Sequence, residues 1–189
     1  MIFTETKLPS AYVVLPDIAE DDRGFFARIW CERELKDMGL NDRLAQSSIS
    51  HNTRKGTLRG MHFQVWPHRE AKLVRCTRGA IFDVIVDLRP ESPTFKQWIG
   101  MELSEESYKM LYVPEDFAHG FQTLRDDTEV TYYVSEFYEP EAQRGFRHDD
   151  PSFGILWPHE AEVISVKDKQ WPLFRSDGPT KVSKASQKT

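Results

Sequence analysis

Cysteine is nearly missing from this chain. Cys31 and Cys76 are far apart and outside any CxxC spacing, which leaves no basis for a disulfide framework or a thiolate metal cluster and makes reduced thiols the default. Long apolar runs are missing too, and nothing approaches the ~20 residues a membrane span needs. The first residues, MIFTETKLPSAYVVLPD, lack the basic-then-apolar order of a secretion signal. The expectation is a cytoplasmic protein with no membrane partner. Positive charge is not in surplus: 25 Lys and Arg stand against 30 Asp and Glu, a net charge of -5. With no basic block either, no nucleic-acid partner is expected, although arginines gathered in one pocket can still bind a small anion. The glycine-rich loops that cradle phosphates are absent, as is the GxSxG turn that presents a nucleophilic serine.

What the sequence does have is β-structure. Val, Ile, Phe, Tyr and Thr gather in short runs separated by Gly, Pro, Asp and Ser. The pattern predicts strands near 11–15, 25–30, 44–51, 57–64, 71–78, 80–88, 95–103, 108–113, 117–123 and 128–137. RGA at 78–80 supplies a turn between two of them. One short helix is expected at 31–38, ended by Gly39, with a further turn at 103–107. Many strands with few short helices predict an all-β antiparallel sandwich or barrel, of which the jelly roll is the common form. The length, 189 residues, fits one substantial domain, read as 1–174. The polar residues 175–189 are read as a tail.

The run TLRGMHFQVWPHREAKLVRCTRGAIFDVIVDLR, residues 57–89, carries unusually many ionisable groups for strands. Alternation places Phe82, Val84, Val86 and Leu88 on one face of AIFDVIVDL and Ile81, Asp83, Ile85 and Asp87 on the other. Either the aspartates face solvent, or their face lines a wet cavity, because an unpaired buried carboxylate is costly. His62 and His119 invite two readings as well, since a strand histidine is more often structural than catalytic. His62, His68 and His119 with Glu70 suggest a metal site. Against it, no HxH pair shares a strand face, and Lys72 would repel a divalent cation. Nucleophilic catalysis has no recognisable motif. General acid–base chemistry remains, for which His, Tyr and Lys supply base, donor and charge stabiliser.

The motifs DDRGFFARIW, KGTLRGMHFQ, EAKLVRCTRGAIFDVIVDLRPESPTFKQW, LYVPEDFAHGFQTL, TEVTYYVSEFYEPEAQRGFRHDDPSFGILWP and ISVKDKQWPL follow one another in this chain. In that order they resemble the dTDP-4-dehydrorhamnose 3,5-epimerase family, over about residues 5–174. The resemblance implies a cupin-type jelly roll, usually a homodimer, without metal or other cofactor, and a nucleotide-linked 4-keto-6-deoxy sugar as substrate. It implies His62 as base, oriented by Asp168, with Lys72 stabilising the enolate and Tyr132 donating a proton on the opposite face. Tyr138 completes the sugar pocket, and Arg59 is expected near the diphosphate. Arg23 and Phe26 are expected to reach the nucleotide, in a neighbouring subunit. Arg28, Gln46, Asp83 and His119 complete the expected binding set. Strict alternation would put Arg59 and His62 on opposite faces, so a bulge at Gly60 is required if both serve one cavity. Three features depart from the family's pattern: Arg28 where glutamate is common, the segment AQSSISHNTRKG, and Asp116 where glycine is usual. They leave open a relative that inverts one carbon, or moves the carbonyl, on a different 4-keto sugar. Asp116 requires a loop with positive φ that aspartate tolerates. A non-catalytic sugar-binding jelly roll and a metal-dependent cupin oxygenase are the remaining alternatives.

Overall fold

Runs of branched and aromatic residues favour a pleated surface, and the Gly, Pro and Asp between them end each run. The computed structural model describes residues 1–175. Its first elements are β1 (Ile2–Glu5), β2 (Tyr12–Leu15), β3 (Ile18–Asp21), β4 (Gly24–Ala27), helix α1 (Glu32–Asp37), β5 (Gln46–Asn52) and β6 (Thr57–Gln64). They are followed by β7 (Lys72–Arg78), β8 (Ala80–Asp87), β9 (Trp98–Ser104), β10 (Met110–Val113), β11 (Phe117–Thr123) and β12 (Thr128–Val134). The chain continues through β13 (Gln143–Gly145), β14 (Val163–Ile164) and helix α2 (Val166–Gln170). The polar tail read from the sequence lies, from residue 176, outside the described residues.

Two antiparallel sheets face each other as a jelly roll. One runs β1-β2-β10-β7-β12-β5, the other β13-β6-β11-β8-β9, with β14 added in parallel to β6. Strands β3 and β4 form a separate ribbon. Between the sheets lies a dry core that includes Val74, Cys76, Ile81, Ile85, Phe117, Phe121 and Val130. Burying each such large side chain contributes roughly 1.5–3 kcal/mol. The outer face of β8 is covered as well, because Val84 and Val86 pack with Phe146 and Phe153 from the chain after β13.

That double cover overturns the reading in which Asp83 and Asp87 face solvent, since both are fully buried. Asp87 is held by Arg89, at 2.9 and 2.7 Å, and by the hydroxyls of Ser92 and Thr94 at 2.6 and 2.7 Å. This clamp occupies residues 92–97 as turns, with Lys96 at φ +65°. It is why the strand expected from 95 begins only at Trp98. Asp116 adopts φ +62°, the backbone its place in the loop required. Helix α1 is shorter than expected by a residue at each end. It has acidic Glu32 and Glu34 in its first turn, which the helix dipole favours, and it stops at Gly39, φ +69°.

Gly60 decides the geometry of β6. Its φ is +136°, and a Cβ there would lie 2.6 Å from Cα of Gly120 on β11. Between the pairs His119–His62 and Phe121–Arg59, the single residue Gly120 on β11 faces two residues, Gly60 and Met61, on β6. This is the bulge that brings Arg59 and His62 to one face.

Candidate active site

Directly paired residues of neighbouring strands project to the same side of a sheet. His62 pairs with His119, and Arg59 with Phe121, so all four face between the sheets. On the opposing sheet, β7 and β12 repeat every two residues from the dry core outward: Cys76 and Val74 lead to Lys72, and Val130 leads to Tyr132. Strand β5 continues that wall with Gln46, Ser48 and Ser50. The result is a cavity of about 670 Å³ whose lining includes Gln46, Arg59, His62, Lys72, His119, Tyr132, Tyr138 and Asp168.

His62 reaches Asp168 at 2.6 Å; the histidine side chain is 27% exposed and the aspartate 6%. Asp168 sits in the first turn of α2, where Ser165 caps its backbone N–H at 3.0 Å. Burial would raise the Asp168 carboxyl, but hydrogen bonds from His62, the Ser165 hydroxyl and the Gly60 backbone outweigh it and hold the group below its ordinary range. The carboxylate is therefore ionised and fixes the imidazole's orientation. On the other wall, Lys72 pairs with Glu70 at 2.9 Å. Tyr132 packs against the dry core. Burial, aided by the charge of Asp83 and opposed by Arg59, pushes its phenol well above the usual 10. An oriented imidazole thus sits on one sheet, with an ammonium and a protonated phenol on the other. This set can take a proton from one face of a bound molecule, return one to the opposite face and stabilise an oxyanion between.

His119 makes a second pair with Asp83, at 2.7 Å. Asp83 is fully buried and does not line the cavity; it reaches the site only through His119, not by touching a ligand itself. Arg59 is steered by Asn52, whose side-chain oxygen accepts from Nε at 2.7 Å. Tyr138 closes the mouth: its hydroxyl bonds to Gln143 at 2.9 Å, and its backbone N–H donates to Gln46 at 2.7 Å.

Three expected residues lie elsewhere. Arg23 and Phe26 stand on the exposed β3–β4 ribbon, with Arg23 paired to Asp21 and Phe26 74% exposed. Arg28 follows the ribbon and binds Glu34 of α1 at 3.1 Å. None of the three lines this cavity. His68, weighed as a metal ligand, is also off the wall, and among the described residues no three His, Cys, Asp or Glu side chains gather as a cation site. Cys76 is buried, and burial pushes its thiol up to about 12, so it is no nucleophile at neutral pH. The sequence reading passed over Ser48, Ser50, Gln143 and Lys167, which also line the cavity, and took Glu70 only for a metal donor. Alternation along β5 would have found the serines. The S-x-x-D cap at Ser165–Asp168 would have found α2 and with it Lys167.

A jelly roll whose interior opens into a polar chamber between its two sheets has the form of a small-molecule enzyme's site. Residues 5–176 match the family described as dTDP-4-dehydrorhamnose 3,5-epimerase. The chain is 42% identical over 177 residues to the dTDP-4-dehydrorhamnose 3,5-epimerase of Sinorhizobium fredii, covering 91% of this chain and 89% of that one. The crystal structure of the enzyme of that name from Elizabethkingia anophelis superposes with a TM-score of 0.89 at 39% identity, covering 92% of this chain and 96% of that one. The Bacillus anthracis structure, with TDP and PPi bound, gives 0.87 at 40% identity, covering 92% and 99%. The chain belongs to the dTDP-4-dehydrorhamnose 3,5-epimerase family and is an enzyme of the isomerase class.

Proposed function

We propose that the chain inverts C3, C5 or both in a nucleotide-linked 4-keto-6-deoxyhexose, of the dTDP type, during deoxysugar biosynthesis. The ketone acidifies the neighbouring C–H bonds. His62, held by Asp168, removes a proton; the C–H electron pair becomes a C=C bond, and the carbonyl becomes an enolate beside Lys72. Tyr132 returns a proton from the other side, which inverts the carbon. The observation that carries this reading is the placement of His62 on one sheet and of Tyr132 with Lys72 on the other, around one cavity. A preorganised ammonium at the developing oxyanion is worth several kcal/mol. Arg59 faces the same cavity as a diphosphate partner, and the nucleotide follows the family to which the chain belongs.

We further read the enzyme as a homodimer whose β3–β4 ribbon brings Arg23 and Phe26 to the nucleotide in a second copy. Their exposure, away from the chain's own cavity, supports this. Light scattering that returned a monomer with substrate bound would remove the idea. The two free thiols suit a reducing cytoplasm, and no described helix is long and apolar enough to cross a membrane.

The deciding experiment is NMR of dTDP-4-keto-6-deoxyglucose in D₂O, without added metal, on wild type and His62→Ala. Deuterium at C3 and C5, lost in the variant, is the expected result. Deuterium at one carbon reduces the assignment to a mono-epimerase. A carbonyl moved to C3 would make the enzyme a ketoisomerase. Failure of any exchange would reject this substrate.

A further inference from the structure

Glu70 has no part in the proton transfers above, yet it is built into the same wall. It lies two residues before Lys72, and both line the cavity, as alternate positions of an extended chain do. The Ala71 backbone between them is clamped on both sides, its N–H to the Ser135 hydroxyl at 2.8 Å and its carbonyl to the Ser135 N–H at 3.0 Å. The preceding loop is braced by Gln64, which donates to the carbonyls of His68 and Phe137 and accepts from the Glu139 N–H. Glu70 and Lys72 meet at 2.9 Å with side chains only 12% and 13% exposed. Arg69, by contrast, turns away to Asp116 at 3.0 Å.

The hydrogen-bond capacity of this pair is far from spent. A carboxylate offers about four lone-pair positions and an ammonium three donors, and among the described residues each makes only the one contact with the other. The pair therefore presents to the cavity a donor seeking an oxygen, with an acceptor seeking a hydroxyl beside it. A ketone flanked by a hydroxyl-bearing carbon matches that order. The match improves when a proton leaves the hydroxyl-bearing carbon. The new double bond then holds the hydroxyl and the enolate oxygen side by side in one plane, while the partner carbon beyond the ketone, which carries the ring oxygen, has no hydroxyl to offer. An interaction strengthened in the intermediate accelerates that step rather than merely tightening binding.

We propose that Glu70 is a specificity-determining residue: its carboxylate accepts a hydrogen bond from the sugar hydroxyl adjacent to the ketone that Lys72 engages, and it favours enolisation toward the hydroxyl-bearing C3 over C5. The inference rests on the proton-transfer reading given above. The step balances within the substrate: the C3–H proton goes to His62, its electron pair forms C3=C4, and the C4–O π electrons become the oxyanion at Lys72. The C3 hydroxyl keeps its proton throughout and donates it to Glu70.

The test measures deuterium uptake at C3 and at C5 of dTDP-4-keto-6-deoxyglucose for wild type, Glu70→Ala and Glu70→Gln, with folding checked by thermal melts. Glutamine keeps the shape and an oxygen acceptor but not the charge, so it also covers the case in which alanine unfolds the wall. Glu70→Ala is expected to slow C3 exchange about 10²-fold, the scale of one hydrogen bond to a charged group, and C5 exchange by less than about tenfold. Glu70→Gln is expected to fall between at C3. Equal losses at both carbons, or equal losses in the two variants, would mean that Glu70 only neutralises Lys72 and would overturn the proposal. Wild-type exchange confined to C5 would overturn it too. Should exchange occur only at C3, the gap between the glutamine and alanine variants decides. Should wild type exchange neither carbon, the proton-transfer reading falls, and the proposal is settled by binding of the same substrate against its 3-deoxy analogue. A preference for the hydroxyl in wild type that is lost in Glu70→Ala keeps it, and equal binding rejects it.

Discussion

Two histidine–aspartate pairs stand side by side at matched positions of β6 and β11, with nearly equal separations of 2.6 and 2.7 Å. Their settings differ. In the first, His62 is open to the cavity and its carboxylate comes from α2, an element added after the sheets. In the second, His119 is 6% exposed and Asp83 is fully buried within the sheet itself, one of its oxygens without a partner. An open pair can exchange a proton with a bound molecule and recover it. A sealed pair stiffens the wall, because removing one partner leaves the other buried and unpaired in a medium of low polarity. In the mechanism proposed above the first pair handles the proton, while the second, though its imidazole edges the same cavity, keeps its carboxylate sealed within the sheet.

Removing the open imidazole should break this contrast most. His62→Ala is expected to lower turnover by about 10³–10⁴-fold, the upper range for a general base, with a melting temperature close to wild type. Asp168→Asn keeps the shape but releases the ring, and a misoriented base costs about 10²-fold. Asp83→Asn should act the other way round. Turnover should stay within about tenfold of wild type, a modest loss for a group that never meets the substrate, while unfolding free energy falls by about 3 kcal/mol, read from denaturant midpoints. Comparable loss of turnover in both aspartate variants would end the division of roles.

Acid provides a finer probe of the open pair. The Asp168 carboxyl is held below its ordinary 3.8 in the folded protein. Its stabilising share is therefore complete above that value and is lost as pH falls through the depressed folded value. The stability gap between wild type and Asp168→Asn should stay constant from about pH 8 to pH 5 and shrink only below about pH 4. Thermal melts across that range check it, and a gap that closes near pH 6 would assign the titration to another group.

The sequence made some of this legible and hid the rest for physical reasons. Strands β6 and β11 were readable to the residue, because long alternation bounded by Gly and Pro has few other solutions. The conflict between Arg59 and His62 even located the bulge at Gly60. The β13 and β14 strands are too short to have a period, and α2 is a single capped turn, so Asp168 came to notice through family resemblance rather than pattern. Asp83 was ambiguous because alternation cannot tell a wet face from a second dry one; the cover over β8 comes from residues far along the chain. Glu70 looked like a metal donor since its partner, Lys72, was weighed as an objection to metal instead of as its neighbour.

The smallest effect concerns the opposite wall, where Tyr132 is partly buried against the dry core and also lines the open cavity. Its edge faces the His119 ring at a centroid distance of 6.1 Å, and burial with the nearby Asp83 charge lifts its phenol above 10. A raised value means that the folded state prefers the neutral phenol. Any stability tied to it is whole below pH 10 and is lost only as pH climbs beyond. Tyr132 should therefore remain a proton donor across the whole working range, and its ionisation should not appear in the alkaline arm of a turnover profile. Absorbance titration at 295 nm tests this directly: Tyr132→Phe should leave the phenolate signal below pH 10 unchanged. Asp83→Asn, by removing the charge that helps hold the proton, should bring the ionisation of Tyr132 to lower pH. A phenolate signal below pH 10 that disappears in Tyr132→Phe would place this tyrosine on the open side of the comparison and leave the sealed pair no influence over it.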